Sequence, residues 1–241
     1  MRTLIVSDIH SNIVALDAVL AAAREDGPVD GVWCLGDIVG YGPAPMAVLE
    51  RLWELKALSL GGHHDAGAVG RFDFGIFNPI AAEACRWNGE QLTSDARAYL
   101  GGLPESLVLE PFTLVHGSLD DPLWEYLLRE LQAEAAWDRA STRHLFVGHS
   151  HIQFVCRASK GFEQPGSEPL VVPIDGVRLV FNPGSVGQPR DGDPRAAFAV
   201  YDDEARTVAL RRASYDVGAT QRSMAEAGLP EPLISRLSVG R

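Results

Sequence analysis

The chain has 241 residues, of which 46% are hydrophobic, and carries 21 Lys and Arg against 32 Asp and Glu, a net charge of −11. A chain of this length can bury a large core, so we predict one α/β domain over residues 1–241. The acidic balance excludes the basic track that a long nucleic acid needs. The short apolar run at residues 4–6 fits neither a signal peptide nor a membrane span. With three scattered cysteines, these features predict a cytoplasmic protein that does not bind membranes.

Short apolar runs without polar alternation follow one another along the first 150 positions. They occupy residues 3–6, 31–35, 57–60, 112–115 and 144–147, and they predict strands covered on both faces. Residues 12–24 and 45–55 carry apolar side chains at helical spacing, which predicts two helices between the first three strands. This alternation indicates parallel strands joined by right-handed crossovers.

The remaining elements follow weaker patterns. Residues 123–131 and 132–139 predict helices, with Trp124, Leu127, Leu128 and Leu131 as a core stripe. Residues 177–181, 196–201 and 208–212 predict strands of a second sheet, and residues 160–169 a surface loop or hairpin. Residues 216–227 predict a last helix, capped by Gly228.

Six of the seven histidines lie at or directly after the ends of apolar runs, together with several aspartates. The clusters are Asp8-Ile9-His10, Gly36-Asp37, His63-His64-Asp65, His116-Gly117 and His149-Ser150-His151. Histidine and carboxylate together form the ligand set of transition-metal sites. One such histidine alone would equally suit a hydrogen-bonded strand end, but the repeated setting favours metal binding. Because sites in open α/β sheets form beyond the carboxyl ends of the strands, we expect these side chains to meet there.

In this order the clusters resemble those of the calcineurin-like metallophosphoesterase superfamily, over residues 4–201. The resemblance implies a four-layer αββα fold, a two-sheet β-sandwich flanked by helices. It also implies two divalent transition-metal ions that share Asp37. Asp8, His10 and His151 would complete the first site, and His116 and His149 the second. Manganese is the expected metal, with Fe, Zn, Ni or Co as alternatives.

His63 stands where the family has an asparagine ligand in its Gly-Asn-His-Asp box. Two hypotheses stay open for this position. An imidazole can replace the amide oxygen without changing the charge of the site, although it reaches further and prefers different metals. Alternatively, the His63 side chain is displaced, which leaves a weaker second site.

The resemblance also implies the chemistry. A hydroxide that bridges the two metals would attack the phosphoryl group in line. His64 corresponds to the family's histidine that protonates the leaving oxygen or stabilises the charged phosphorane. Its alternative role is a structural one, through hydrogen bonds to its loop.

The stretch from Gly36 to Gly42 indicates which branch of the family this chain resembles. It reads Gly-Asp-Ile-Val-Gly-Tyr-Gly and lacks the Asp-Arg-Gly of protein serine/threonine phosphatases and dinucleoside-polyphosphate hydrolases. Without that arginine the bidentate phosphate clamp is lost, which argues against both activities. A small phosphodiester or phosphomonoester is the expected substrate. A non-catalytic interaction module of the same fold is a further alternative, although such relatives usually lose ligands.

Four residues are candidates for binding the substrate: Tyr41, Asn182, Ser185 and Arg190. Tyr41 lies four residues after Asp37, and the resemblance places the Asn182-Pro183-Gly184-Ser185 turn near the metals. For Tyr41 the alternative is packing at the rim. For Arg190 the alternative is structural: Arg190 and Arg195 would form ion pairs with Asp191 and Asp193 and so stabilise the loop. The sequence carries no indication of oligomeric state.

Overall fold

Two mixed six-stranded sheets pack face to face in the computed structural model, which describes residues 1–241. The strands are, in chain order, β1 (Arg2–Val6), β2 (Gly31–Cys34), β3 (Leu58–Ser59), β4 (Ser106–Leu109), β5 (Phe112–Val115), β6 (His144–Phe146), β7 (Gln153–Arg157), β8 (Gly161–Glu163), β9 (Leu170–Pro173), β10 (Leu179–Pro183), β11 (Ala196–Asp202) and β12 (Thr207–Ala213). The first sheet has the order β3-β2-β1-β11-β12-β9 and the second β4-β5-β6-β10-β7-β8.

Eight helices accompany the sheets. They are α1 (Ile13–Arg24), α2 (Pro45–Glu54), α3 (His63–Ala68), α4 (Pro79–Gln91), α5 (Ser94–Gly101), α6 (Glu130–Arg139), α7 (Val217–Glu226) and α8 (Glu231–Ser235), with 3-10 turns at Phe74–Ile76 and Arg236–Ser238. None of the helices combines the length and the apolar character that crossing a membrane requires.

Alternate residues of β1 explain the layering. Ile5 packs between the two sheets with Phe112, Phe146 and Phe181, whereas Leu4 and Val6 face a second core shared with α1 and α2. On the far side, α6 covers the second sheet through Ala133, Ala136 and Trp137. The layers therefore run helices, sheet, sheet, helix, and the predicted αββα architecture is confirmed.

The parallel start is also confirmed. Strands β1, β2 and β3 pair in parallel, and α1 and α2 lie within the predicted bounds, with Asn12 accepting a hydrogen bond from the Ala15 N–H at the start of α1. Helix α7 likewise begins after Asp216 and ends before Gly228, whose φ is +69°. The predicted loop or hairpin contains β8, which pairs antiparallel with β7.

Two predictions about the second half are wrong. Strands β11 and β12 belong to the first sheet. One edge of β1 pairs with β2, and β11 pairs antiparallel with the other edge and carries β12 beside it. Only β10 joins the second sheet. Residues 123–129 are not helical, since the Asp121 side chain accepts the N–H groups of Leu123 and Trp124 in a local turn. Of the predicted core stripe only Leu127 is buried, and Leu131 is 76% exposed.

Candidate metal centre

The carboxyl ends of β1, β2, β3, β5 and β6 deliver the histidine and aspartate clusters to one buried position. Two groups of potential ligand atoms form there, each with its atoms within 4.8 Å of one another: Asp8, His10 and His151 in the first, and Asp37, His63, His116 and His149 in the second. The structure thus brings together all seven residues predicted as ligands, and all seven are buried.

Asp37 lies between the two groups. Its Oδ2 atom is 3.1 Å from His63 Nδ1, 3.4 Å from His116 Nε2 and 3.8 Å from His10 Nε2. One carboxylate oxygen therefore faces nitrogens of both groups, which is the position a shared ligand would occupy.

In Asp8 and in Asp37, one carboxylate oxygen accepts a hydrogen bond from the backbone and the other has no hydrogen-bond partner. Asp8 Oδ2 accepts the His149 N–H at 3.1 Å and Asp37 Oδ1 the His64 N–H at 2.9 Å. Asp8 Oδ1 and Asp37 Oδ2 are buried and have no hydrogen-bond partner. Because an unpaired buried oxygen is costly, both atoms fit a role as cation ligands.

Backbone carbonyls orient the histidine rings. Three Nδ1–H groups donate to main-chain oxygens: His10 to Val39 at 3.1 Å, His116 to Leu35 at 3.0 Å and His151 to Gln188 at 2.5 Å. These bonds leave each Nε2 directed inward as a lone-pair donor. His149 uses the opposite nitrogen, because its Nε2–H donates to Trp124 O at 3.1 Å and its buried Nδ1 has no partner.

Burial keeps most of these rings neutral. It lowers the pKa of His10 to about 3 and that of His149 to about 2, and it holds the pKa of His151 well below its ordinary range. Neutral imidazole is the form that binds a metal. For His116 burial opposes the proton, but Asp37 and Asp8 outweigh burial and raise its pKa to about 9. A metal bound beside Asp37 would therefore displace that proton.

The pKa values of the Asp8 and Asp37 carboxyl groups are shifted in opposite directions. Burial, joined by the charge of Asp37, raises the pKa of Asp8 to about 7. Burial acts in the same sense on Asp37, but the charges of His63 and His116 hold its pKa well below the usual range. Burial disfavours the charged form of Asp8, and a cation beside it would stabilise that form.

The backbone around the ligands is strained. Left-handed φ angles occur at five predicted ligands, at +52° for Asp8, +47° for His10, +51° for Asp37, +64° for His149 and +58° for His151. Side chains other than glycine rarely adopt this conformation, and it persists where the surroundings impose it, commonly at functional sites.

His63 faces the second group of ligand atoms. Its Nδ1 lies 3.4 Å from His116 Nε2, and its ring stacks on Phe77 at a centroid distance of 5.7 Å. The displaced conformation considered above is therefore not the one in the structure. Coordination by His63 stays a prediction.

His64 packs beside the metal ligands but makes no hydrogen bond through its ring. Both of its ring nitrogens are buried without partners, and the ring contacts Tyr41 at 4.4 Å and His10 at 5.0 Å between centroids. Burial, together with the charge of His63, holds its pKa well below the ordinary value. The structural role considered for His64, through hydrogen bonds from its ring to the loop, is therefore not seen. Both ring nitrogens are available for proton exchange. Its nitrogen also lies within 4.8 Å of ligand atoms of His10 and Asp37.

A cavity of about 340 Å³ opens above the metal centre. His63, His64 and His149 form its floor, Tyr41, Arg190 and Arg236 one side, and Phe77, Trp124 and Tyr126 an aromatic wall. The Arg190 guanidinium donates to Tyr41 Oη at 3.3 Å. It does not brace the loop by ion pairing, since Asp191 pairs with Arg212 and Asp193 with Arg195. Both Tyr41 and Arg190 thus lie where a substrate could contact them.

Asn182 and Ser185 do not line this cavity, which corrects their assignment as substrate-binding residues. Asn182 donates to Gly148 O at 2.8 Å and Ser150 Oγ at 3.0 Å, and its carbonyl accepts the Gly184 N–H. The Ser185 hydroxyl donates to Asp8 O and accepts the Gln188 N–H. Both are fully buried with their polar atoms used, so they hold the ligand loops in place.

The sequence reasoning missed Arg236 and the aromatic wall. Arg236 comes from the far end of the chain, where no local pattern indicates a site. Trp124 and Tyr126 were obscured by a helical spacing. The Asp121-Pro122 pair, a common turn signal, was the available indication that residues 123–129 form a loop.

Comparisons with known proteins agree with this geometry. The model of the calcineurin-like phosphoesterase superfamily domain matches residues 1–206. A crystal structure of a metallophosphoesterase from Sphaerobacter thermophilus is 40% identical with a TM-score of 0.91, covering 100% of this chain and 99% of that chain. The uncharacterized protein MJ0912 of Methanocaldococcus jannaschii is 34% identical over 98% of this chain and 97% of its own length. The hypothetical protein PH1004 from Pyrococcus horikoshii shares the fold, with a TM-score of 0.83 at 22% identity, over 100% of this chain and 98% of that chain.

The family match and the buried group of histidines and aspartates support the same conclusion. Six of the residues that the resemblance assigns to metal binding are present, His63 stands in place of the family's asparagine, and the fold places all seven around one centre. The chain belongs to the calcineurin-like phosphoesterase superfamily.

Proposed function

We propose that this protein is a dinuclear metal-dependent phosphoesterase that hydrolyses a small phosphodiester or phosphomonoester. The observation that carries this proposal is the position of Asp37, whose free oxygen faces nitrogens of both ligand groups. We propose manganese, the metal that the family resemblance implies, with Fe, Zn, Ni or Co as alternatives that imidazole ligands also suit.

The residues of the cavity have different proposed roles in hydrolysis. Divalent cations held by the two groups would supply Lewis-acid polarisation of the phosphoryl group and activation of the attacking water. Arg190 and the Tyr41 hydroxyl line the cavity and are placed to bind the substrate. His64, whose ring nitrogens have no partner, is the candidate to stabilise the charged phosphorane or to protonate the leaving oxygen.

The structure also bears on the alternative of a protein phosphatase or dinucleoside-polyphosphate hydrolase. Gly40 stands in the Asp-Arg-Gly stretch of those enzymes, and a Cβ atom there would lie 2.6 Å from His64 Nδ1. Gly40 holds the place of the Asp, and any side chain there would displace the His64 ring, so this Asp cannot be restored without rearranging the site. Tyr41 holds the place of the clamping Arg. The non-catalytic alternative is disfavoured because every ligand position is filled by a residue able to coordinate.

Two further expectations accompany the proposal. The cavity suits a small substrate, and the net charge of −11 disfavours long nucleic acids. The three cysteines are buried and unpaired, as expected in a reducing compartment, and a cytoplasmic location is therefore proposed.

The test is hydrolysis of 4-nitrophenyl phosphate and bis(4-nitrophenyl) phosphate by metal-stripped protein reloaded with Mn, Fe, Zn, Ni or Co. We expect turnover only after reloading, and two metals per chain by elemental analysis. The ratio of the two rates distinguishes monoester from diester preference. Stoichiometric binding of two metals without hydrolysis of either compound would favour the non-catalytic alternative. Equal turnover by the stripped protein would contradict the metal-dependent mechanism.

A further inference from the structure

Arg190 and Arg236 are cationic side chains that pair with no aspartate or glutamate. The guanidinium groups converge on the amide oxygen of Gln188, at 2.9 Å from Arg190 and 3.4 Å from Arg236. The other hydrogen bonds of these side chains go to Tyr41 Oη and to the main-chain oxygen of Arg241, the last residue of the chain. Neither guanidinium group therefore pairs with an aspartate or glutamate side chain.

The arginines next to this pair are held differently. The chain has more acidic than basic residues, 32 against 21, and the neighbouring Arg195 and Arg212 both pair with aspartates. The Arg190 Nε atom is buried and has no hydrogen-bond partner. Burial, with the nearby charge of Arg190, lowers the pKa of Arg236. No aspartate or glutamate side chain neutralises these two adjacent guanidinium groups, and they match a phosphate group in charge and geometry.

Both arginines line the cavity of the metal centre. A second cavity of about 350 Å³ adjoins the first and shares Tyr41, Asn78 and Arg236 with it. The Tyr41 ring lies between the two parts. It contacts His10 and His64 at 4.6 and 4.4 Å between centroids, and the Arg190 guanidinium lies 5.7 Å from its ring centroid. A molecule anchored at the metals can thus extend toward Arg236.

We propose that Arg190 and Arg236 form a subsite for a second anionic group of the substrate, so that the preferred substrates are small phosphoesters that carry a second phosphate. This inference rests on the proposed function and names its substrate class. The part of the molecule between the two anionic groups would pack against Phe77 and Trp124. The same two arginines would bind a phosphonate in place of the second phosphate, which provides a stable probe.

The experiment compares 4-methylphenyl phosphate with 4-(phosphonomethyl)phenyl phosphate in the Mn-loaded protein. The two compounds have the same scissile aryl ester, and only the second carries another anion. A charge-assisted pair of hydrogen bonds is worth about a factor of ten or more. We expect kcat/KM of the wild type to favour the phosphonate-bearing ester by about tenfold or more, and R236Q to bring this ratio close to one. R236K should give an intermediate ratio, because it keeps the charge without the planar fork.

Arg222 provides the matched control. It is exposed, lies on α7 and faces Asp216 rather than the cavity, so R222Q removes the same charge from the surface. This variant should keep the wild-type ratio. Far-ultraviolet circular dichroism of R236Q and R236K establishes that both variants are folded.

Binding provides a readout that does not depend on turnover. Calorimetry of the Mn-loaded protein with 4-methylbenzylphosphonate and with 1,4-phenylenebis(methylphosphonate) measures the second anion directly. The bisphosphonate should bind about tenfold or more tightly to the wild type, and R236Q should lose this advantage. Equal affinities in the wild type, or an advantage that R236Q retains, would overturn the subsite. If neither ester is hydrolysed, the result counts against the proposed function only. The subsite is tested separately, by the ratio of the two phosphonate affinities.

Discussion

Oδ2 of Asp37 lies 3.1 Å from Nδ1 of His63, and both belong to the buried group that includes His116 and His149. A carboxylate oxygen without a hydrogen-bond donor and a ring nitrogen at this separation are suited to binding the same cation. Asp37 faces both ligand groups, whereas His63 belongs to the second group only. Substitutions at the two positions are therefore expected to differ in severity.

Asp37→Asn should abolish turnover and greatly reduce the occupancy of both metals. The change removes the charge of the oxygen that faces both groups, so its effect should exceed that of losing a ligand to one metal. Elemental analysis and the hydrolysis of 4-nitrophenyl phosphate measure the two effects. Asp138→Asn is the control, because Asp138 has 81% of its side chain exposed and lies away from the centre. Near-wild-type hydrolysis by Asp37→Asn with metal bound would contradict the dinuclear mechanism.

His63→Asn should leave the fold intact and shift the metal preference toward harder cations such as Mn, because it supplies an oxygen ligand in place of nitrogen. Titrating activity against Mn and Zn for wild type and variant detects the shift. If the wild-type imidazole coordinates, a crystal grown with either metal should show a ring nitrogen about 2.0–2.3 Å from the ion. Identical titration curves and rates would show that position 63 does not touch the second metal.

His64→Ala should keep both metals and lower the rate by about 10²- to 10⁴-fold, the range of a positioned general acid. The loss should be smaller for 4-nitrophenyl phosphate than for an alkyl phosphate, because a good leaving group needs no proton. Comparing the two esters at saturating metal tests this role. A variant that loses one metal would instead identify His64 as a ligand, in agreement with its position near His10 and Asp37.

Gly40→Ala should lower turnover by displacing His64. The new Cβ would lie 2.6 Å from His64 Nδ1, and the φ of +97° is unfavourable for alanine. Gly228→Ala is the control, since Gly228 has φ +69° and no atom within 4 Å of an added Cβ. The control should lose about 1 kcal/mol of unfolding free energy with turnover unchanged. Equal turnover of both variants would show that the position of the His64 ring is not critical.

His144 should make the stability depend on pH. Burial, with the charge of Arg143, lowers its pKa from 6.5 to about 4, so the unfolded chain binds the proton more readily than the folded one. The contribution to stability is complete above pH 6.5 and is lost as the pH falls toward 4, by about 1–3 kcal/mol. Denaturant unfolding of wild type and His144→Gln at pH 7.5 and 5.0 measures it. The wild type should lose more stability than the variant, and equal losses would refute the assignment.

The metal centre could be predicted from the sequence because its ligands come in short clusters at the ends of apolar runs. A strand that ends carries the residues after it to the edge of the sheet, so Asp8, Asp37 and His116 are placed by local chemistry alone. The helices at 13–24 and 45–54, and with them the two parallel crossovers, could be predicted because the spacing of apolar residues is also a local property. Local spacing could not assign the later strands to a sheet, because β11 joins β1 across about 190 residues of chain.

Local patterns by themselves determined that this protein has a layered α/β fold and a histidine and aspartate metal site. Only the tertiary structure decided which polar residues face the substrate. Asn182 and Ser185 stand in a conspicuous turn, yet their polar atoms are consumed by hydrogen bonds within the loops. Arg236 stands in an unremarkable last turn, yet it meets Arg190 in the cavity. The accessibility of a side chain depends on what the rest of the chain packs against it, and that information is not local.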